Sequence, residues 1–89
     1  MVGEVTDRIV NRYITFVRGV PNNDRIKTEC WEVRNNRSGE SLGEISWYTG
    51  WRQYVFTPEP FTEFNVTCLR EIAEQCERLN EQHGQGRRR

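Results

Sequence analysis

The apolar positions of this chain change period once. Through residue 57 they tend to recur every second residue, and from Asn65 onward every third or fourth. The first spacing is that of a pleated strand with one buried face, and the second that of an amphipathic helix. Arg12–Arg18 is rich in β-branched and aromatic residues and predicts a strand that Gly19 ends. Val20–Asp24 has loop chemistry. Lys27–Arg34 alternates, with Trp31 and Val33 inward, and Asn35–Gly39 is a cluster of turn residues. Leu42–Tyr48 alternates again, with Ile45 and Trp47 on one face. Thr49-Gly50 predicts a turn, and Trp51–Thr57 a further strand. Pro58 and Pro60 stop the sheet, because neither can donate to a ladder.

A two-residue turn at Thr49-Gly50 would pair Tyr48 with Trp51, Trp47 with Arg52, Ile45 with Tyr54 and Gly43 with Phe56. Phe56 would then cover the bare backbone of Gly43, and Arg52 would lie over Trp47. Tyr48, Trp51, Gln53 and Val55 would face the other way. The helix is expected over about 66–82. Val66, Leu69, Ile72, Ala73, Cys76 and Leu79 form its packed stripe, and Asn65 or Thr67 its cap. Arg70–Glu74 and Glu74–Arg78 are spaced to pair, and Gly84 is the natural stop.

The expected fold is α+β. It is a three- to four-stranded antiparallel meander followed by one C-terminal amphipathic helix packed on one face. The expected layout is a flexible arm over 1–11, one domain over 12–83 and a disordered basic tail over 84–89.

Composition adds a constraint. A chain of 89 residues hides only roughly 60–65% of its unfolded surface on folding, so a few large side chains must build the core. Trp31, Trp47, Trp51, Tyr13, Tyr48, Tyr54, Phe16, Phe56, Phe61 and Phe64 are the candidates. The formal net charge is zero. Residues 5–37 nevertheless carry seven basic and four acidic side chains, whereas 51–86 carry three arginines and six glutamates. A bipolar molecule has no global field to steer it onto nucleic acid. Arg87-Arg88-Arg89 is too short a basic run to change that.

Met1–Val5 lacks the long apolar run of a leader, and no stretch reaches the roughly 20 apolar residues of a membrane span. A cytoplasmic protein with reduced thiols is therefore expected, with no membrane partner. The triplets Asn36-Arg37-Ser38 and Asn65-Val66-Thr67 are then chance matches to the glycosylation signal.

Chemistry-bearing residues are sparse. Cys68, Cys76 and His83 lie eight and seven residues apart. On a helix, such side chains stand about 11–12 Å apart, too far for one ion to bridge. Cys68 and Cys76 read better as small core or boundary residues. His83, near a fraying helix end, is a poor place for a positioned base. Phosphate loop, nucleophile elbow and paired histidine ligands are all missing. No catalytic residue, metal or cofactor is expected, and the chain reads as a non-enzyme.

One helix can cover only one sheet face, so aromatics on the other face form a candidate contact surface. The residues expected to bind a partner are Tyr48, Trp51, Arg52, Gln53 and Arg34. The same side chains could stack on the bases of a single-stranded nucleic acid. A second copy of the chain, the Pro58–Phe64 loop or the N-terminal arm would instead bury that face.

A wider pattern joins these pieces. Trp31-Glu32-Val33, Ser38-Gly39, Leu42-Gly43-Glu44-Ile45-x-Trp47-Tyr48, Trp51-Arg52-Gln53-Tyr54-x-Phe56-x-Pro58, Phe64 and Cys68-Leu69-Arg70-x-Ile72-Ala73 occur in that order. The stretch resembles a group of small, mostly uncharacterised phage and bacterial proteins over about 60% of the chain. Those relatives often carry Gly-Pro where this chain has Thr49-Gly50. The resemblance implies the sheet-then-helix order and carries over no catalytic or binding residues. It implies a phage or mobile-element origin. It also implies the kind of function such proteins often have, inhibition of a host protein such as an immune nuclease (an anti-CRISPR-like role) or of transcription. The expected function is therefore a non-enzymatic protein-binding module with a host protein as partner. The second expectation is a small single-strand binder, and the third a homodimer.

Overall fold

The computed structural model describes residues 7–19 and 28–85. The loop expected at Val20–Asp24, the strand start at Lys27, most of the arm's first residues and the Arg87–Arg89 tail lie outside the described residues.

Five strands form one antiparallel sheet in the order β1-β2-β3-β4-β5. They are β1 (Arg8–Val10), β2 (Ile14–Arg18), β3 (Trp31–Asn35), β4 (Ser41–Tyr48) and β5 (Gln53–Pro58), and helix α1 (Val66–Gln85) follows. The α+β class, the meander and the single C-terminal helix are as the periodicity requires. The strand count is not: β1 adds a fifth strand in the segment that reads as an arm. Three residues are too short for a periodic signal, and β1 is held by its pairing to β2, Arg8 opposite Val17 and Val10 opposite Thr15.

The registers sort the side chains into two faces. Ile9, Ile14, Phe16, Trp31, Val33, Ile45, Trp47, Tyr54 and Phe56 share one face, and all of them belong to or pack on the core that Cys68, Ile72 and Leu79 of α1 complete. Val33 and Ile45 are wholly buried. Leu42 joins them by a local irregularity. Val33 faces Gly43 but Arg34 faces Ser41, so β4 holds one extra residue there. Such a bulge turns the strand over. It brings Leu42 onto the core face, where strict alternation would have pointed it away. The opposite face is mixed: Thr15, Val17, Ser46 and Val55 are half-buried among Glu32, Arg34 and Glu44.

Helix α1 starts where expected. The side-chain oxygen of Asn65 accepts the Cys68 N–H at 2.8 Å and its carbonyl accepts the Leu69 N–H at 3.0 Å. The packed stripe, however, is Cys68, Ile72, Gln75 and Leu79, each at most 6% exposed. Val66 and Leu69 are 61% and 51% exposed, and Ala73 is exposed too. At 100° per residue this rotates the helix by roughly a quarter turn from the most apolar stripe. In this rotation the helix also meets the sheet through a polar group, the Asn80 side chain bonding to Tyr54. The helix also runs through Gly84, which was expected to stop it. The Arg70–Glu74 and Glu74–Arg78 pairs are not among the ion pairs of the described residues; Arg78 donates instead to Gln75 Oε1.

Candidate contact surface at the hairpin tip

Residues Thr49–Arg52 connect β4 to β5 in a four-residue turn, not the two-residue turn expected from Thr49-Gly50. Tyr48 pairs with Gln53, Trp47 with Tyr54 and Ile45 with Phe56. The slip is by two residues, an even number, so each side chain that stays in the strands keeps its predicted face. Gly43 now lies opposite Pro58, yet its bare α-carbon still faces the Phe56 ring, which a Cβ there would approach to 2.7 Å.

The longer turn changes the site. Trp51 and Arg52 belong to the turn itself and project from the end of the sheet. The Tyr48 carbonyl accepts the N–H of Trp51 at 3.3 Å and of Arg52 at 2.8 Å. Arg52 has φ +57°, the left-handed region that glycine normally occupies. The Tyr48 ring folds back over Gly50, where an added Cβ would stand 2.6 Å from its Cζ. It meets Trp51 edge to face at 5.2 Å between centroids. Trp51 remains 68% exposed and Tyr48 47% exposed. The tip therefore presents a pre-formed aromatic pair with a guanidinium beside it.

Behind the tip, Trp47, Trp51, Arg52, Asn80 and His83 line a groove of about 320 Å³. Arg52 does not stack on Trp47 as expected. That indole meets Tyr54 edge-on at 5.4 Å and the His83 imidazole at 4.2 Å. Since α1 continues past it, His83 is packed and not frayed. Asn80 ties the helix to the same strand, its Oδ1 accepting the Tyr54 N–H at 2.8 Å.

Of the five expected contact residues, Tyr48, Trp51, Arg52 and Gln53 come together. Arg34 does not. It pairs with Ser41 at the far end of β4, seven residues and roughly 23 Å of strand from Tyr48. It is engaged there by Glu32 at 2.9 Å and by the Gly39 carbonyl at 2.7 Å. At that end Arg12 lies over the exposed Tyr13 ring at 5.2 Å. Phe61, expected to help build the core, is fully exposed with φ +61°. Phe64 is half-buried against the core, edge-on to Phe56 at 5.4 Å.

Two thiols, those of Cys30 and Cys76, are held toward the neutral form. Burial, then the hydrogen bond to Glu44, then the charges of Glu44 and Glu32 push Cys30 up to about 12. Burial and the neighbouring Glu77 also raise Cys76. Burial raises Tyr54, against the opposing effect of the Glu29 N–H, which donates to its hydroxyl at 2.9 Å.

Sequence reasoning missed Gln75 and Asn80. The spacing of Gln75 with Cys68, Ile72 and Leu79 is a signal, but Asn80 lies off that stripe and an amide does not register on a hydrophobicity pattern. No helix among the described residues is long and apolar enough to cross a membrane. The chain matches no family model, no curated protein and no solved structure.

Proposed function

We propose that this chain is a non-enzymatic binding module that captures a protein partner through the tip of the β4–β5 hairpin. The observation that carries the reading is the Tyr48–Trp51 pair: two large aromatics held in fixed geometry, with Trp51 68% exposed. Aromatic and arginine side chains dominate the energetics of protein contacts, and rigid ones lose little entropy on binding. Arg52 supports the reading. A non-glycine residue kept in a costly backbone conformation is a reason to suspect a role in binding, and Arg52 has no ion-pair partner among the described residues. The groove beside the tip offers one imidazole but no carboxylate, hydroxyl or thiol among its lining residues, which suits recognition better than catalysis.

The resemblance to small phage and bacterial proteins makes a host protein the natural partner, and a phage-type inhibitor of an immune or transcription machine the natural role. The working compartment would be the cytoplasm. The test compares wild type and Trp51→Ala in a pull-down from bacterial lysate. The expected result is loss of the captured partner with an unchanged unfolding midpoint. Unfolding of the variant would assign Trp51 to structure and remove the argument.

A second reading, binding of single-stranded nucleic acid, draws on the Arg12–Tyr13 stack. It requires affinity that falls steeply with salt. The absence of a gel shift at about 50 mM salt with micromolar protein would dismiss it. Self-association through the second sheet face is a third. That face carries Glu32, Glu44 and Arg34 among smaller side chains, which suits solvent better than a dry interface. Light scattering at two concentrations decides it.

A further inference from the structure

The flank of α1 that faces away from β5 holds a polar cavity with its own chemistry. Ile9, Asn11 and Phe16 of the β1–β2 side and Glu71, Gln75 and Arg78 of the helix line a space of about 280 Å³. Three buried side-chain atoms among them lack a hydrogen-bond partner: Asn11 Nδ2, Glu71 Oε1 and Gln75 Nε2. Gln75 is only 3% exposed. Its orientation is settled by its neighbour. Arg78 can only donate and donates to Gln75 Oε1, so Nε2 is the atom left over. An unpaired buried amide is costly, and native proteins keep few.

We infer that this cavity binds a carboxamide group, such as a small primary amide or the Asn or Gln side chain of a partner. The inventory selects it. Two amide N–H donors call for one carbonyl oxygen, whose two lone pairs can serve both, and the Glu71 carboxylate calls for an N–H donor. A primary carboxamide supplies both in one planar group. A carboxylate would meet the negative charges of Glu71 and of Glu74, which also lines the cavity, against the single guanidinium of Arg78 that Gln75 Oε1 already engages, and an ammonium would leave both amide donors unmatched. The size suits a side chain or a small molecule and falls below a drug-sized pocket. The site lies across the helix from the hairpin tip, so it is separate from the contact surface proposed above.

The experiment titrates the full chain with acetamide, acetate and methylammonium, reading the side-chain amide signals of Asn11 and Gln75 by ¹⁵N NMR. Saturable shifts with acetamide alone are expected. Equal responses to all three probes, or none, would overturn the inference and show that the three polar groups satisfy one another. Gln75→Leu gives a second reading. It removes the unpartnered Nε2 together with the oxygen that takes the Arg78 bond, so the acetamide response at Asn11 should disappear while the chain stays folded. An acetamide response at Asn11 that persists in this variant would overturn the inference. A free amide as the natural ligand requires these shifts to saturate with acetamide itself. A partner side chain requires a glutamine-bearing peptide to bind more tightly than acetamide.

Discussion

The side-chain oxygen of Asn80 accepts the backbone N–H of Tyr54 at 2.8 Å, so a helix residue closes a hydrogen bond that the last strand of the sheet would otherwise offer to solvent. β5 is an edge strand, and Pro58 at its end has no N–H to give. Edge strands left open are templates for unwanted pairing, and both devices blunt this one. The same bond holds the end of α1 beside the hairpin tip. Asn80→Ala should cost about 0.5–1.5 kcal/mol, the net worth of one part-buried hydrogen bond. The Tyr54 amide should also exchange its hydrogen faster, which native-state exchange by NMR measures. Unchanged protection would mean that packing around Tyr54, and not the Asn80 bond, shields this N–H.

Arg52 sits in the left-handed region with φ +57°. Arg52→Gly should relieve roughly 1–2 kcal/mol of backbone strain and give back roughly 0.4–1 kcal/mol to the freer unfolded chain. A net gain of about 0.5 kcal/mol is expected, together with weaker partner capture. Denaturant melts and the pull-down measure the two effects. A variant that is more stable and binds as well as wild type would take Arg52 out of the contact surface.

Gly50 leaves room for the Tyr48 ring, and an added Cβ would lie within 2.9 Å of three of its atoms. Tyr48 lies outside the core, so a methyl that displaces its ring in Gly50→Ala should keep the fold. It should break the edge-to-face contact with Trp51 and weaken capture. Near-ultraviolet circular dichroism reports the loss of the aromatic pair, and an unchanged spectrum would contradict this geometry.

Gly43 is a harder case. A Cβ there would come 2.5 Å from the Thr57 carbonyl and 2.7 Å from the Phe56 ring, at a backbone φ of +150°. The carbonyl belongs to the paired strand and cannot swing away. Gly43→Ala should destabilise by roughly 2–4 kcal/mol through overpacking and strain. A thermal melt tests this.

Cys30 donates to Glu44, and its folded pKa is raised from 9.0 to about 12. Folding therefore favours the protonated thiol. This contribution to stability is fully present below pH 9 and is lost as pH rises toward 12. Cys30→Ala should flatten the fall in stability over that window. At neutral pH the thiol should alkylate slowly, since the thiolate is the nucleophile. Glu44→Gln should speed the reaction, as it removes a negative charge beside the sulfur. Mass-spectrometric labelling rates check both.

The order of elements, the inward Trp31, Val33, Ile45, Trp47 and Tyr54, and the Asn65 cap all follow from local rules. Strand alternation, helical period and side-chain capping act over a few residues, so the sequence by itself determines them. The tertiary structure decided what local rules do not weigh. Pairing with β2 made a strand of Arg8–Val10. The bulge at Leu42-Gly43 turned Leu42 inward. Against the sheet, α1 sits with Asn80 bonded to Tyr54 and His83 on Trp47, so Gln75 is buried and Leu69 exposed. The hairpin shows both sides of this division. A slip of two residues preserved the faces that alternation sets, but it moved Trp51 and Arg52 out of the strand and into the turn. Their place at the exposed tip, and the separation of Arg34 from them, come from which residues the sheet brings together across space.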